Sequence, residues 1–163
     1  MPTLESGAAH RADGAKPGRS KRTVRKTPAQ RAFWILSVSA SADDHRALRH
    51  ILRDAPCHIS VASTLSNAIG RLSRGKAPSI VVCESQLPDG TWKDMFHQIA
   101  QCTEPSILIV TSRLADEHLW AEVLNLGAYD VLSKPFSERE VRHVLGSAWE
   151  RRESAMRVHA AGV

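Results

Sequence analysis

Short apolar runs alternate with amphipathic segments over most of the chain. Runs of this length predict buried strands, and the apolar residues between them recur at helical spacing. The predicted strands cover residues 33–38, 58–62, 79–83, 105–110 and 129–132. This alternation predicts an α/β fold, a doubly wound five-stranded parallel sheet with helices on both faces. Functional side chains of such sheets lie at the carboxyl ends of the strands.

Helix boundaries follow from small residues between the strands. Gly127 stands where a helix of about 114–126 should end. Ser137, with Glu140 three residues later, has the spacing of a capping box and begins the last helix. We expect that helix to fade near Glu153.

Residues 1–31 differ from the rest of the chain in charge. They carry eight Lys or Arg and two acidic residues, a net charge of +6, whereas residues 32–163 carry 14 Lys or Arg and 15 acidic residues, a net charge of −1. The first segment has too few large apolar side chains to fold. We therefore predict a disordered basic leader over residues 1–31, a folded domain over residues 32–153 and a flexible tail over residues 154–163.

The leader has two interpretations. Residues 11–31 could attract nucleic acid, anionic lipid or an acidic protein through charge alone. Alternatively they form only a solubilising segment, because no aromatic residue is interleaved among the cations to stack on bases.

Several classes of protein are disfavoured. No apolar run is long enough to span a membrane and no secretory signal is present, so we expect a cytoplasmic protein that does not contact a membrane. The three cysteines lack metal-ligand spacing, and Cys83 lies in an apolar run typical of a core position. With no zinc motif, phosphate loop or nucleophile elbow, we predict neither an enzyme nor a metal site.

Three motifs, each after a predicted strand, carry a resemblance to a known family. Glu84 to Gly90 follows the third strand, Thr111-Ser112 follows the fourth, and Lys134-Pro135-Phe136 follows the fifth. This order resembles the receiver domains of two-component systems, in particular those like the chemotaxis regulator. The resemblance implies a flavodoxin-like fold and a role in phosphorelay signal transduction.

The family's phosphorylation site is incomplete in this chain. The resemblance implies an acceptor aspartate where Glu84 stands, and an acidic pair for Mg²⁺ where Ser39 and Ala40 stand. Thr111 and Lys134 match the residues that contact the phosphoryl group. Because Mg²⁺ prefers carboxylate or phosphate ligands, we expect weak or no Mg²⁺ binding and no other cofactor.

Asp43 and Asp44 lie too far along the chain to replace the acidic pair directly. At the start of the first helix they would favour the helix dipole. The alternative is a register slip that makes them metal ligands.

Without a phosphoryl group, Lys134 needs another partner, and Glu84 should point into the same cleft. Either Glu84 imitates a phosphorylated aspartate and holds Thr111 in an active-like state, or the pair only neutralises a relic pocket. Val131 stands where the family often has an aromatic switch residue, and valine cannot swing as a ring does. We expect Tyr129, two residues earlier, to lie on the same face as Val131.

The resemblance implies a stand-alone, atypical receiver that signals by protein–protein contact without phosphorylation. In the family, the face made by the fourth helix, fifth strand and fifth helix docks a signalling partner or a second copy. Trp120 and Trp149 lie on those helices, and we expect both to be at least partly core, with an interface anchor as the alternative. The rival hypothesis is a nucleic-acid-binding protein that uses the leader, with the receiver fold as a dimerisation body.

Overall fold

A computed structural model of the chain describes residues 32–162. The strands are β1 Phe33–Val38, β2 Cys57–Ala62, β3 Ile80–Glu84, β4 Gln86–Leu87, β5 Gly90–Thr91, β6 Ile107–Ser112 and β7 Asp130–Ser133. The helices are α1 Ala42–Ile51, α2 Leu65–Leu72, α3 Trp92–Ala100, α4 Glu117–Leu126 and α5 Glu138–Ala161.

Five of the strands form one parallel sheet in the order β2-β1-β3-β6-β7. The doubly wound α/β fold is therefore confirmed, and this is the flavodoxin-like order. Because the order reverses between β1 and β3, a cleft opens at the carboxyl ends of these central strands. Glu84 at the end of β3 pairs in register with Thr111 of β6.

The sheet separates two apolar clusters. On one face, α1 and α5 cover buried residues that include Ile35, Ile80 and Leu145. On the other, α2, α3 and α4 cover Leu36, Val81 and other strand residues. Cys83 belongs to this second cluster and has no exposed surface, which confirms its predicted core position.

After β3, the short antiparallel strands β4 and β5 are joined by a turn at Pro88 and Asp89. One boundary prediction is wrong. The last helix does not fade near Glu153 and instead continues to Ala161. Residues 154–161 contain no proline or glycine and are rich in alanine, so they have good helix propensity. Arg157 adds an ion pair with Glu153 one turn earlier.

The predictions for the basic leader lie outside the described residues. Within residues 32–162, none of the helices is long and apolar enough to cross a bilayer.

Candidate functional site

The sheet brings three of the expected site residues to one cleft. Glu84 is the last residue of β3, Thr111 is its neighbour in β6, and Lys134 directly follows β7. The Lys134 backbone N–H donates to the Ser112 carbonyl at 2.9 Å, which extends the β6–β7 ladder and fixes where the lysine side chain begins.

Lys134 is buried and bridges two carboxylates. Its ammonium donates to Glu84 Oε1 at 2.6 Å and to Asp44 Oδ2 at 2.7 Å. Only 3% of the lysine side chain is exposed, compared with 22% for Glu84 and 11% for Asp44. Charge-assisted hydrogen bonds of this length are strong, and a buried ammonium depends on them.

Asp44 lies in the first turn of α1, as predicted, but it also contributes to the cleft, which the sequence did not indicate. The α1 N-cap is Ser41, and Asp44 at the third helical position turns its carboxylate into the cleft. Asp43, one residue earlier, points to solvent and pairs with Arg46 at 2.7 Å. Adjacent helical residues point about 100° apart, so only one member of the pair reaches the cleft.

Ser39 joins the two carboxylates. Its hydroxyl lies 2.6 Å from Asp44 Oδ2 and 2.9 Å from Glu84 Oε2, and it accepts the Ser41 backbone N–H at 3.1 Å. A hydroxyl has one proton to donate, so Asp44 and Glu84 share the one proton of Ser39 in addition to their bonds from Lys134. Ala40, the other residue at the family's acidic pair, is exposed and takes no part.

The charges in the cleft set the protonation of Asp44. Burial raises the pKa of this carboxyl, but hydrogen bonds from Lys134 and Ser39 and the positive charges of Lys134 and Arg113 together outweigh it. The net result is a pKa below the ordinary value of 3.8. Asp44 is therefore ionised at neutral pH and serves as a permanent partner for Lys134.

His45 supports the same loop, a role that the sequence did not indicate. Its Nε2 lies 3.0 Å from the Ser39 carbonyl and its Nδ1 lies 2.8 Å from the Ser37 hydroxyl. Burial lowers the pKa of His45, so the ring is neutral near pH 7. Nε2–H then donates to Ser39 and Nδ1 accepts from Ser37, which holds the segment after β1 against α1.

Thr111 and Val131 are buried beside this network but do not join it. Thr111 is 2% exposed, and no partner within residues 32–162 hydrogen-bonds its hydroxyl, so Glu84 does not hold it. Val131 is 1% exposed and packs in the cluster under α2, α3 and α4. Tyr129 packs in the opposite cluster, so the prediction that it shares a face with Val131 is wrong. The reason is that β7 begins only at Asp130, after the tyrosine.

A cation bound to both cleft carboxylates would compete with the Lys134 ammonium. The Lys134 ammonium already lies between the two carboxylates, in the position that a cation bound to both of them would take. Among the described residues there is also no group of three or more His, Cys, Asp or Glu side chains arranged to hold a metal ion.

The comparison with protein families identifies the family to which the chain and its cleft belong. The profile of the family described as "Response regulator receiver domain" matches residues 35–146. The chain belongs to the response regulator receiver family. The cleft around Lys134 is therefore the receiver's site at the strand ends, and receiver domains are signalling modules of two-component systems.

Individual relatives agree with this assignment. The chain is 26% identical over 87 residues to the transcriptional regulatory protein DpiA of Escherichia coli K12, an alignment that covers 53% of this chain and 38% of that protein. It thus spans less than half the length of the curated relatives it matches.

Solved receiver structures share the fold. The signal receiver domain of an HD domain-containing protein from Pseudomonas fluorescens Pf-5 superposes with a TM-score of 0.68 at 25% identity, covering 76% of this chain and 99% of that one. The chemotaxis response regulator CheY4 of Vibrio cholerae superposes with a TM-score of 0.65 at 16% identity, covering 72% and 98%.

Proposed function

We propose that this receiver signals without phosphorylation, through contact with a protein partner. The observation that carries the proposal is the closed network in which Lys134 bridges Asp44 and Glu84. In the receiver family, the lysine at this position contacts the phosphoryl group once the acceptor carries one. Here its charge is already balanced by two carboxylates.

The same network disfavours a phosphorylation reaction. A receiver's acceptor carboxylate must attack phosphorus while cations offset the negative charge. Both oxygens of Glu84 are engaged, one by Lys134 and one by Ser39. The bridging ammonium competes with Mg²⁺, so we expect the ion to bind weakly or not at all.

Phosphorylation is tested by chemical donors. The purified protein is incubated with acetyl phosphate or phosphoramidate and Mg²⁺, beside a receiver that carries the complete acidic set, and intact masses are measured. We expect the control to gain a phosphoryl group and this protein to keep its mass. A phosphoryl-sized gain, mapped to an acid such as Asp43, Asp44 or Asp89, would overturn the proposal.

For partner contact, we propose the face of α4, β7 and α5. Two apolar side chains one turn apart on α4 support this choice, Trp120 with 38% and Leu124 with 46% of their surface exposed. Trp120 lies outside both apolar clusters, so its expected core position is wrong, whereas Trp149 is half-buried and stacks on Phe33 at 4.8 Å. Exposed tryptophans are frequent anchors of protein interfaces.

The face is tested by comparing two variants. Trp120→Ala/Leu124→Ala removes the exposed apolar pair on α4, and Trp34→Ala removes a comparably exposed tryptophan on β1, outside this face, as the control. We expect self-association in sedimentation equilibrium, or capture of a signalling partner, to weaken only in the first variant. Equal behaviour of the two variants would reject this face as the contact surface.

The role of Glu84 is tested in the same assay. If its charge imitates a phosphorylated acceptor, Glu84→Gln lowers partner capture while the protein stays folded. Unchanged capture would favour the relic pocket and leave phosphorylation-independent docking in place.

A further inference from the structure

An open groove lies on the opposite side of the domain from the proposed partner face. It runs between the β1–β2 side of the sheet and α2, and its volume is about 770 Å³, within the ~300–1,000 Å³ of ligand pockets. Leu36 and Ala62 form buried parts of its wall, and Gly70 of α2 leaves open space where another residue would place a side chain.

The ring of Trp34 lines one part of the groove. Trp34 in β1 is 45% exposed although its strand is central to the fold. The His58 ring of β2 meets it edge-on, with ring centroids 6.0 Å apart. His58 is itself exposed, so this aromatic pair faces solvent instead of the core. An exposed ring of this kind offers a flat apolar surface on which a planar group can stack.

Positively charged side chains line another part of the groove. Arg71, Arg74 and Lys76 line the groove, all three are exposed, and no acidic residue lines it. None of the three forms an ion pair with a partner in the described range 32–162. Elsewhere on the surface, Arg46 and Lys93 are paired with acids. Within the described residues, the groove therefore offers an anion three cations that have no ion-pair partner.

We propose that this groove binds single-stranded nucleic acid, a function beyond the signalling role proposed above. Bases would stack on Trp34, and the backbone phosphates would lie along Arg71, Arg74 and Lys76. An aromatic platform beside a line of cations is how proteins hold single strands without reading sequence. In addition, the chain enters β1 directly from residues 1–31, whose net charge of +6 strengthens attraction to a polyanion.

The test is binding of a fluorescein-labelled oligothymidylate to the full-length protein, followed by anisotropy over a range of salt concentrations. Trp34→Ala should weaken binding at least about fivefold, while Trp34→Phe keeps most of the affinity. Arg71→Gln/Arg74→Gln should reduce the slope of log affinity against log salt by about 1.4, at ~0.7 per phosphate contact on a single strand. The control with the same change in net charge is Arg49→Gln/Arg139→Gln, two exposed arginines outside the groove.

Competitors separate this proposal from attraction by charge alone. Duplex DNA and heparin carry phosphate or sulfate charges but offer no free base faces, so each should compete less well than the single strand at equal charge. The proposal is overturned if heparin or duplex competes equally, if Trp34→Ala leaves affinity unchanged, or if the two arginine pairs have the same effect. Thermal unfolding followed by circular dichroism verifies that each variant is folded.

Discussion

Replacing Lys134 by methionine should expose how much the fold depends on the bridged pair of carboxylates. Methionine keeps the length of the apolar stem but leaves Asp44 and Glu84 facing each other without a cation. Removing one partner of a buried ion pair costs about 3–5 kcal/mol. Because 22% of the Glu84 side chain reaches solvent, we expect the lower end of that range, about 3 kcal/mol. For a domain of this size the melting temperature would fall by roughly 10 °C.

The measurement is urea unfolding of the wild type and of Lys134→Met, with Lys93→Met as the matched control. Lys93 pairs with Glu122 on the surface, with half of its side chain exposed, and such pairs contribute below about 1 kcal/mol. Adding Asp44→Asn and Glu84→Gln to Lys134→Met should recover most of the loss, because no uncompensated charge then remains. A loss from Lys134→Met no larger than that from Lys93→Met would refute the bridging network.

Three further predictions concern other parts of the domain. The pKa of Asp44 is depressed, so its ionised form stabilises the fold above pH 3.8, and this contribution disappears as the pH falls below that value. In urea titrations, the difference in unfolding free energy between wild type and Asp44→Asn should therefore shrink as the pH falls below 3.8. Burial, with the charge of Glu84, raises the pKa of Cys83 to about 12. Iodoacetamide at neutral pH should therefore modify the half-buried Cys57 and Cys102 before Cys83, which should react only after unfolding, as peptide mass mapping would show. Gly127 ends α4 with φ of +100°, so Gly127→Ala should cost about 1–2 kcal/mol in thermal unfolding, whereas Gly146→Ala in α5, with open space around it, should be neutral or stabilising.

The fold could be predicted because its signals are local. Each strand is visible in the sequence as an apolar run. Two residues mark helix boundaries: Gly127 adopts the left-handed conformation at the end of α4, and the Ser137 hydroxyl accepts the Glu140 N–H at the start of α5. The end of α5 was missed because residues 154–161 contribute no buried face. Helix propensity and the Arg157–Glu153 pair continue that helix, and neither has the periodic apolar signature that marks a packed one.

The site could be predicted only in part. The shared position of Glu84, Thr111 and Lys134 could be predicted from the order of the strands, because the carboxyl ends of parallel strands lie at the same edge of the sheet. The position of Asp44 could not, since this residue reaches the cleft from the third position of a helix, and two adjacent aspartates at a helix start fit a dipole effect equally well. A signal was nevertheless available: of two neighbouring helical residues, Asp44 lies four residues before Leu48, on the side of α1 that packs against the sheet.

The contacts of Asp44 suggest what has been retained in this receiver. Ser39 and Ala40 stand at the acidic-pair positions and carry no charge. Without Asp44, the only carboxylate near Lys134 among the described residues would therefore be the partly exposed Glu84. Asp44 supplies a second carboxylate from a different place in the chain, and Ser39 supplies the hydroxyl that joins the two. A buried lysine tolerates loss of its original neighbours only if other anions reach its ammonium. The charge of Lys134 is therefore balanced by Asp44 and Glu84, and under the function proposed above this balance stabilises the fold without supporting phosphoryl transfer.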